Sequence, residues 1–113
     1  MATVEECEQA LRELAARTEK GDTPGPHRDY DRSLSCTLRD LGVVFAGRLE
    51  GGRLRNIRQA ADPAAQIRME MSSDDLVRLV RGKLNLGSAW ATGRVRVNAS
   101  VRDLMLLRLL LLL

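Results

Sequence analysis

Apolar residues recur along this chain with two different periods, and the change between them divides it. Over residues 3–19 the spacing is helical. Val4, Cys7, Leu11, Leu14, Ala15 and Thr18 return at every third or fourth place and form one stripe. Thr3 and Glu6 stand in the Thr-x-x-Glu arrangement of a capping box, and Gly21 ends the run. The predicted N-terminal helix thus fills residues 1–20. Residues 21–32 follow as a polar loop, with Pro24, Gly25 and Pro26 letting the helix fold back over what comes next.

From Ser33 the period is two. Leu34, Cys36 and Leu38 alternate with Ser35, Thr37 and Arg39, the pattern of a half-buried strand. Asp40, Leu41 and Gly42 turn the chain, and Val43, Phe45, Gly47 and Leu49 alternate through a second strand. Glu50-Gly51-Gly52-Arg53 predicts a tight hairpin, because paired glycines supply the positive φ angles of a primed turn. A third strand runs from Arg53 to about Gln59. Its Leu54 and Ile57 are out of phase with a regular pleat, which predicts a bulge or twist.

Residues 66–71 form a fourth strand, with Ile67, Met69 and Met71 inward. Ser72-Ser73-Asp74-Asp75 opens a helix with Leu76, Leu79 and Val80 on one side, Arg78 and Arg81 on the other, and Gly82 as its stop. A connector from Leu84 to Thr92 holds the single tryptophan, Trp90. Gly93 leads into a fifth strand whose Val95, Val97 and Ala99 alternate with Arg94, Arg96 and Asn98, and Ser100 and Asp103 cap a last helix. The predicted fold is α+β: one domain, residues 1–113, with a five-stranded mixed, largely antiparallel sheet and helices packed on one face. The opposite face is predicted to be polar and rich in arginine.

The last helix departs from this economy. Ten of the thirteen residues from Val101 to Leu113 are apolar, where a helix on a sheet needs one apolar stripe. Such a surplus calls for a partner subunit, a bound apolar ligand or a membrane interface to cover it. As a helix the stretch spans only about 20 Å, too short for a hydrocarbon core of about 30 Å.

Composition narrows the field. At 113 residues and 44% hydrophobic content the chain has room for one domain with a sizeable core. Two cysteines and one histidine are too few for a disulfide framework or a zinc site of those ligands, and three aromatics are too few for base stacking. The net charge of +3 is unevenly placed: residues 1–31 hold four basic and eight acidic side chains, residues 32–113 fourteen and seven. The simpler reading is an acidic N-terminal segment lying against a basic body in the same fold; the alternative is contact of that body with an anionic surface, while specific nucleic-acid binding is not expected. With Glu5, Glu6 and Glu8 where a leader needs positive charge, a cytoplasmic location with reduced thiols is expected, and sixteen arginines against two lysines point to high-GC bacterial coding.

Candidate chemistry is sparse. His27, Asp29 and Tyr30 form the one cluster with acid–base potential, but in a Pro/Gly loop where neighbouring residues rarely converge on a point. Cys7 and Cys36 occupy apolar positions and read as inert buried thiols. No phosphate loop, dinucleotide fingerprint, metal motif or nucleophile elbow is present, so no catalytic residue, metal or cofactor is expected.

Three stretches carry a resemblance: the start of the middle helix at Ser72-Ser73-Asp74-Asp75-Leu76, the step Gly82-Lys83-Leu84-Asn85, and the strand Thr92-Gly93-Arg94-Val95-Arg96-Val97. Together and in order, from Ser33 to about Leu111, they resemble the sterol carrier protein 2 family, as a bacterial single-domain member. Asn98-Ala99-Ser100 departs from the Gly-Asp found there in many members. The resemblance implies a sterol-carrier-like unit over residues 33–113 that encloses an apolar cavity. Its ligand-binding positions would be Val43, Phe45, Met69 and Met71 on the sheet, Leu76, Leu79 and Val80 on the middle helix, Leu86 and Trp90 in the connector, and Leu104 and Leu107 on the last helix. A non-catalytic carrier of an apolar, lipid-like ligand is the function expected, with transient contact to an anionic membrane. The alternatives are a small cofactor-free cyclase or isomerase using the same cavity, and an interaction module that dimerises through the last helix.

Overall fold

A computed structural model describes residues 1–20 and 31–111. The elements follow in the order α1 (Val4–Lys20), β1 (Asp31–Leu38), β2 (Val43–Glu50), β3 (Arg53–Gln59), β4 (Ile67–Met71), α2 (Ser73–Val80), α3 (Leu86–Ala91), β5 (Arg96–Asn98) and α4 (Val101–Leu111). Residues 21–30, with the His27 cluster and most of the polar loop, lie outside the described residues.

The strands form one sheet in the order β3-β2-β1-β4-β5. β1 is parallel to β4, and every other neighbouring pair is antiparallel. The parallel pair needs a crossover, which the β2–β3 hairpin and the segment before β4 provide. The hairpin turns on Gly51 and Gly52, at φ 60° and 83°, as the paired glycines predict. The predicted bulge lies in β3, where the register with β2 shifts between Ala46 and Arg48 and Asn56 adopts a φ of 59°. The extra residue turns Leu54 and Ile57 to the same side, and a side chain built on Gly47 would meet both of them.

One sheet face is apolar throughout. Leu34, Cys36 and Leu38 of β1 lie in register with Ile67, Met69 and Met71 of β4, and Cys36 is opposite Phe45 of β2. Leu38, Ile67 and Met71 are fully buried. α1 packs against α2 and β3 over this face. Its stripe of Cys7, Ala10, Leu11 and Leu14 is buried in the same core. The capping box closes in both directions: the Thr3 amide donates to Glu6 Oε1 at 3.2 Å and the Glu6 amide to Thr3 Oγ1 at 3.1 Å. At the other end of α1, buried Thr18 accepts the Leu54 amide at 3.1 Å, which ties the helix to β3.

Two expectations need correction. The connector from Leu84 to Thr92 contains helix α3, capped by Asn85, whose side chain accepts the Ser88 amide at 3.1 Å. The fifth strand is shorter than its alternation predicts. The amides of Arg94 and Val95 both donate to the carbonyl of Ala89, at 2.9 and 3.2 Å, so they close the end of α3 and are lost to the ladder. Arg94 is therefore no strand residue. It lies 3.9 Å from buried Asp75, which also meets Arg78 at 3.4 Å.

Candidate ligand site

Helix α4 supplies what is unusual about the apolar layer. Ser100 Oγ accepts the Asp103 amide at 3.1 Å, the N-cap that the sequence predicts. The Asp103 side chain is buried and lies 3.6 Å from Arg32 of β1, which anchors the first turn of α4 to the sheet. One turn further on, Leu107 is 3% exposed and joins the core. Leu104, Leu106 and Leu111 are only partly buried against it. Val101 and Met105 face outward at 76% and 63% exposure. Among the described side chains, Asp103 and Leu107 tie α4 to the rest of the fold, with other apolar side chains at its margin and on its outer side.

The sequence-predicted lining residues divide into three groups. Phe45, Met69 and Met71 on the sheet are buried together with Leu76, Leu79 and Val80 on α2, and Leu86 and Leu107 belong to the same core. Val43 and Leu104 lie at its edge, partly buried. Trp90 is not brought in with them: it stands 52% exposed on α3, the helix that touches α4. Tryptophan next to a helix with outward apolar residues was not foreseen as a surface feature, because alternation and spacing do not show which side of a short helix is covered.

The two thiols in this layer are held protonated. Burial, then the charges of Asp40, Glu6 and Asp74, push the Cys7 thiol up to about 11. Burial raises Cys36 to about 12. Both thiols are therefore protonated at neutral pH, as expected for inert buried cysteines. Asp40, at the β1–β2 turn, accepts the Ser73 amide at 2.9 Å and also the Ser73 hydroxyl. These bonds hold its carboxyl below the ordinary value, with the hydroxyl as the main cause. That pair fastens the start of α2 to the turn, a structural role.

On the other face of the sheet the chain is polar, as predicted. Arg48 meets Asp31 at 2.7 Å, and Arg53 and Arg55 approach Glu19 of α1 at 3.8 and 2.9 Å. Several of the arginines on this face are thus paired within the fold. This face also bears a feature that the sequence did not announce, a cavity of about 550 Å³ flanked by Arg68 and Arg96 and by residues 61–63.

A mixed sheet with one apolar face, covered by helices and bordered by a loosely held apolar α4, defines a small α+β binding domain. The chain belongs to the SCP-2 sterol transfer family, whose model matches residues 12–111 and so takes in the second half of α1 as well as the span from Ser33. Two insect solution structures are similar to it. Sterol Carrier Protein-2 of Aedes aegypti, in complex with the C16 fatty acid palmitate, is 19% identical with a TM-score of 0.70, over 98% of this chain and 96% of that one. Sterol carrier protein domain 2 of Helicoverpa armigera is 18% identical with a TM-score of 0.72, over 97% and 90%. A double mutant of the sec-alkyl sulfatase PisA1, an enzyme of Pseudomonas sp., is 24% identical with a TM-score of 0.70 over 92% of this chain. This chain spans 15% of that sulfatase's length. These likenesses establish the fold. No curated protein matches the sequence. Membership supports an apolar-ligand carrier at the level of the family, and a non-enzymatic role over the cyclase or isomerase alternative. Among the described residues no helix is long and apolar enough to cross a membrane.

Proposed function

We propose that this protein binds and carries an apolar, lipid-like molecule between the sheet and its helices, without transforming it. The observation that carries the reading is the incomplete closure of the apolar layer at α4, where Leu104, Leu106 and Leu111 remain partly exposed around Leu107. A chain entering beneath α4 would complete their burial, at about 25 cal/mol for each Å² of apolar surface removed from water. The ligand class is a fatty acyl, sterol, isoprenoid or polyketide-like compound. Val43, Leu104 and Leu107 would form the entrance, Phe45, Met69 and Met71 the floor, and Leu76, Leu79, Val80 and Leu86 the far wall. Methionine suits such a floor, since its unbranched side chain adapts to irregular shapes. Trp90 would guard the outside of the entrance.

Delivery would proceed by transient contact of α4 with an anionic lipid surface. Val101 and Met105 face outward there, and Arg102 and Arg108 on the same helix are exposed. The same outward residues favour, as a second reading, a homodimer formed through α4. Protein of bacterial, cytoplasmic origin is the setting in which we place this carrier. Native mass spectrometry with lipid extraction tests the proposal. An apolar species travelling with the protein, or displacement of a fluorescent fatty acid, is the expected result. Protein that is always empty and ignores fluorescent fatty acids would overturn it, and a concentration-dependent dimer mass with no ligand would favour the second reading instead.

A further inference from the structure

The cavity on the outer, polar face of the sheet lies away from the apolar layer and is built differently. Its floor comes from alternate positions of β1 and β4: Ser35 is in register with Arg68, and Thr37 with Glu70. On the far side β5 places Asn98 opposite Arg68 and Arg96 opposite Glu70. The segment Ala61-Asp62-Pro63 rises over one side.

Three observations there go unexplained by the fold. Ser35 is buried, at 6% exposure for the residue, yet its hydroxyl has no hydrogen-bond partner among the described residues. A buried hydroxyl without a partner is unfavourable and calls for an occupant. The guanidiniums of Arg68 and Arg96 likewise have no ion pair or side-chain hydrogen bond among the described residues, in contrast to Arg48, Arg53 and Arg55 on the same face. Lastly, the carboxylate nearest in register to Arg96 is engaged elsewhere: Glu70 Oε1 lies 3.8 Å from Arg39 Nε.

We propose that this cavity is a second binding site, independent of the carrier reading, for a small organic monoanion bearing a carboxylate or a phosphodiester. Arg68 and Arg96 take the charged oxygens, because a guanidinium presents its donors in the fork that such oxygens match. Ser35 donates its hydroxyl to the same group. The apolar part of the anion rests on Val44, Ala61 and Pro63. Asp62 on the rim limits the charge the site accepts, which favours a single negative charge over two.

The test is a titration of the 113-residue chain with hexanoate and with hexyl methyl phosphate, followed by backbone NMR, with sodium chloride as the ionic-strength control. Saturable shifts at Ser35, Thr37, Arg68 and Asn98 are expected with both probes. Arg68→Gln/Arg96→Gln should weaken binding by about tenfold or more, Ser35→Ala by roughly threefold, and Asp62→Asn should tighten it. Each variant should keep the amide spectrum of the folded chain and its response to a fluorescent fatty acid. Shifts that chloride reproduces, or that survive unchanged in the double arginine variant, would overturn the site. Sedimentation with phosphatidylglycerol vesicles then separates two sources of such an anion. Sedimentation unaffected by the double variant assigns the site to a dissolved anion, and its loss assigns the site to a lipid headgroup.

Discussion

Helices α1 and α4 cover the same apolar sheet face, yet they do so in opposite ways. α1 is an ordinary amphipathic helix: Cys7, Ala10, Leu11, Leu14 and Thr18 are all buried, and its outer side is charged. It is capped in both directions at its start and bonded to β3 at its end. α4 has more apolar residues, yet among its described side chains Leu107 alone is fully in the core, and Val101 and Met105 are in solvent. Hydrophobic content is thus a poor guide to how firmly a helix is held. What matters is whether the apolar residues form one stripe that the sheet can cover. A helix with surplus apolar surface is available for something else, and here that something is assigned to the ligand.

The contrast can be broken or sharpened by substitution. Leu14→Ala in α1 should cost about 2–5 kcal/mol in urea unfolding, because the surrounding core cannot collapse into the gap. A loss as small as that of an exposed site would end the claim that α1 is the firmly packed helix. Thr18→Val removes the acceptor of the buried Leu54 amide and should cost about 1–3 kcal/mol by the same measurement.

Ser73→Ala should cost about 1 kcal/mol near neutral pH, and that cost should depend on pH. Asp40 has its folded value lowered beneath 3.8, chiefly by the Ser73 hydroxyl. The bond therefore stabilises the fold above about pH 4 and is lost as pH falls through the lower folded value. Wild type and variant should converge in acid, and a constant gap down to strong acid would contradict the assignment. Met105→Gln, on the outward side of α4, should change stability by no more than about 0.5 kcal/mol while slowing fatty-acid transfer to anionic vesicles. A large loss of stability would show that α4 is packed like α1.

Much of this architecture was legible in the residues themselves. The bulge in β3 followed from Leu54 and Ile57, the hairpin from Gly51-Gly52, and three helix starts from Thr3, Ser72 and Ser100, because each is a local demand of backbone geometry. Helix α3 was missed because Leu86-Gly87-Ser88 has no stripe to read, and its cap at Asn85 was the signal available. The length of β5 was misjudged because the partner of the Arg94 and Val95 amides is a carbonyl of α3, which no alternation discloses. The lining residues were found as apolar positions, but pattern alone did not separate buried Leu107 from exposed Trp90. The polar cavity was illegible for a similar reason, since it depends on where residues 61–63 cross a sheet face.

The central claim, an apolar ligand held beneath α4, is tested most directly by titrating the protein with palmitate and following backbone NMR shifts. The account predicts saturable shifts at Val43, Val97, Leu104 and Leu107, with residues 4–14 of α1 nearly unmoved. No saturable shift anywhere, or shifts centred on α1 and β3 with α4 silent, would contradict it.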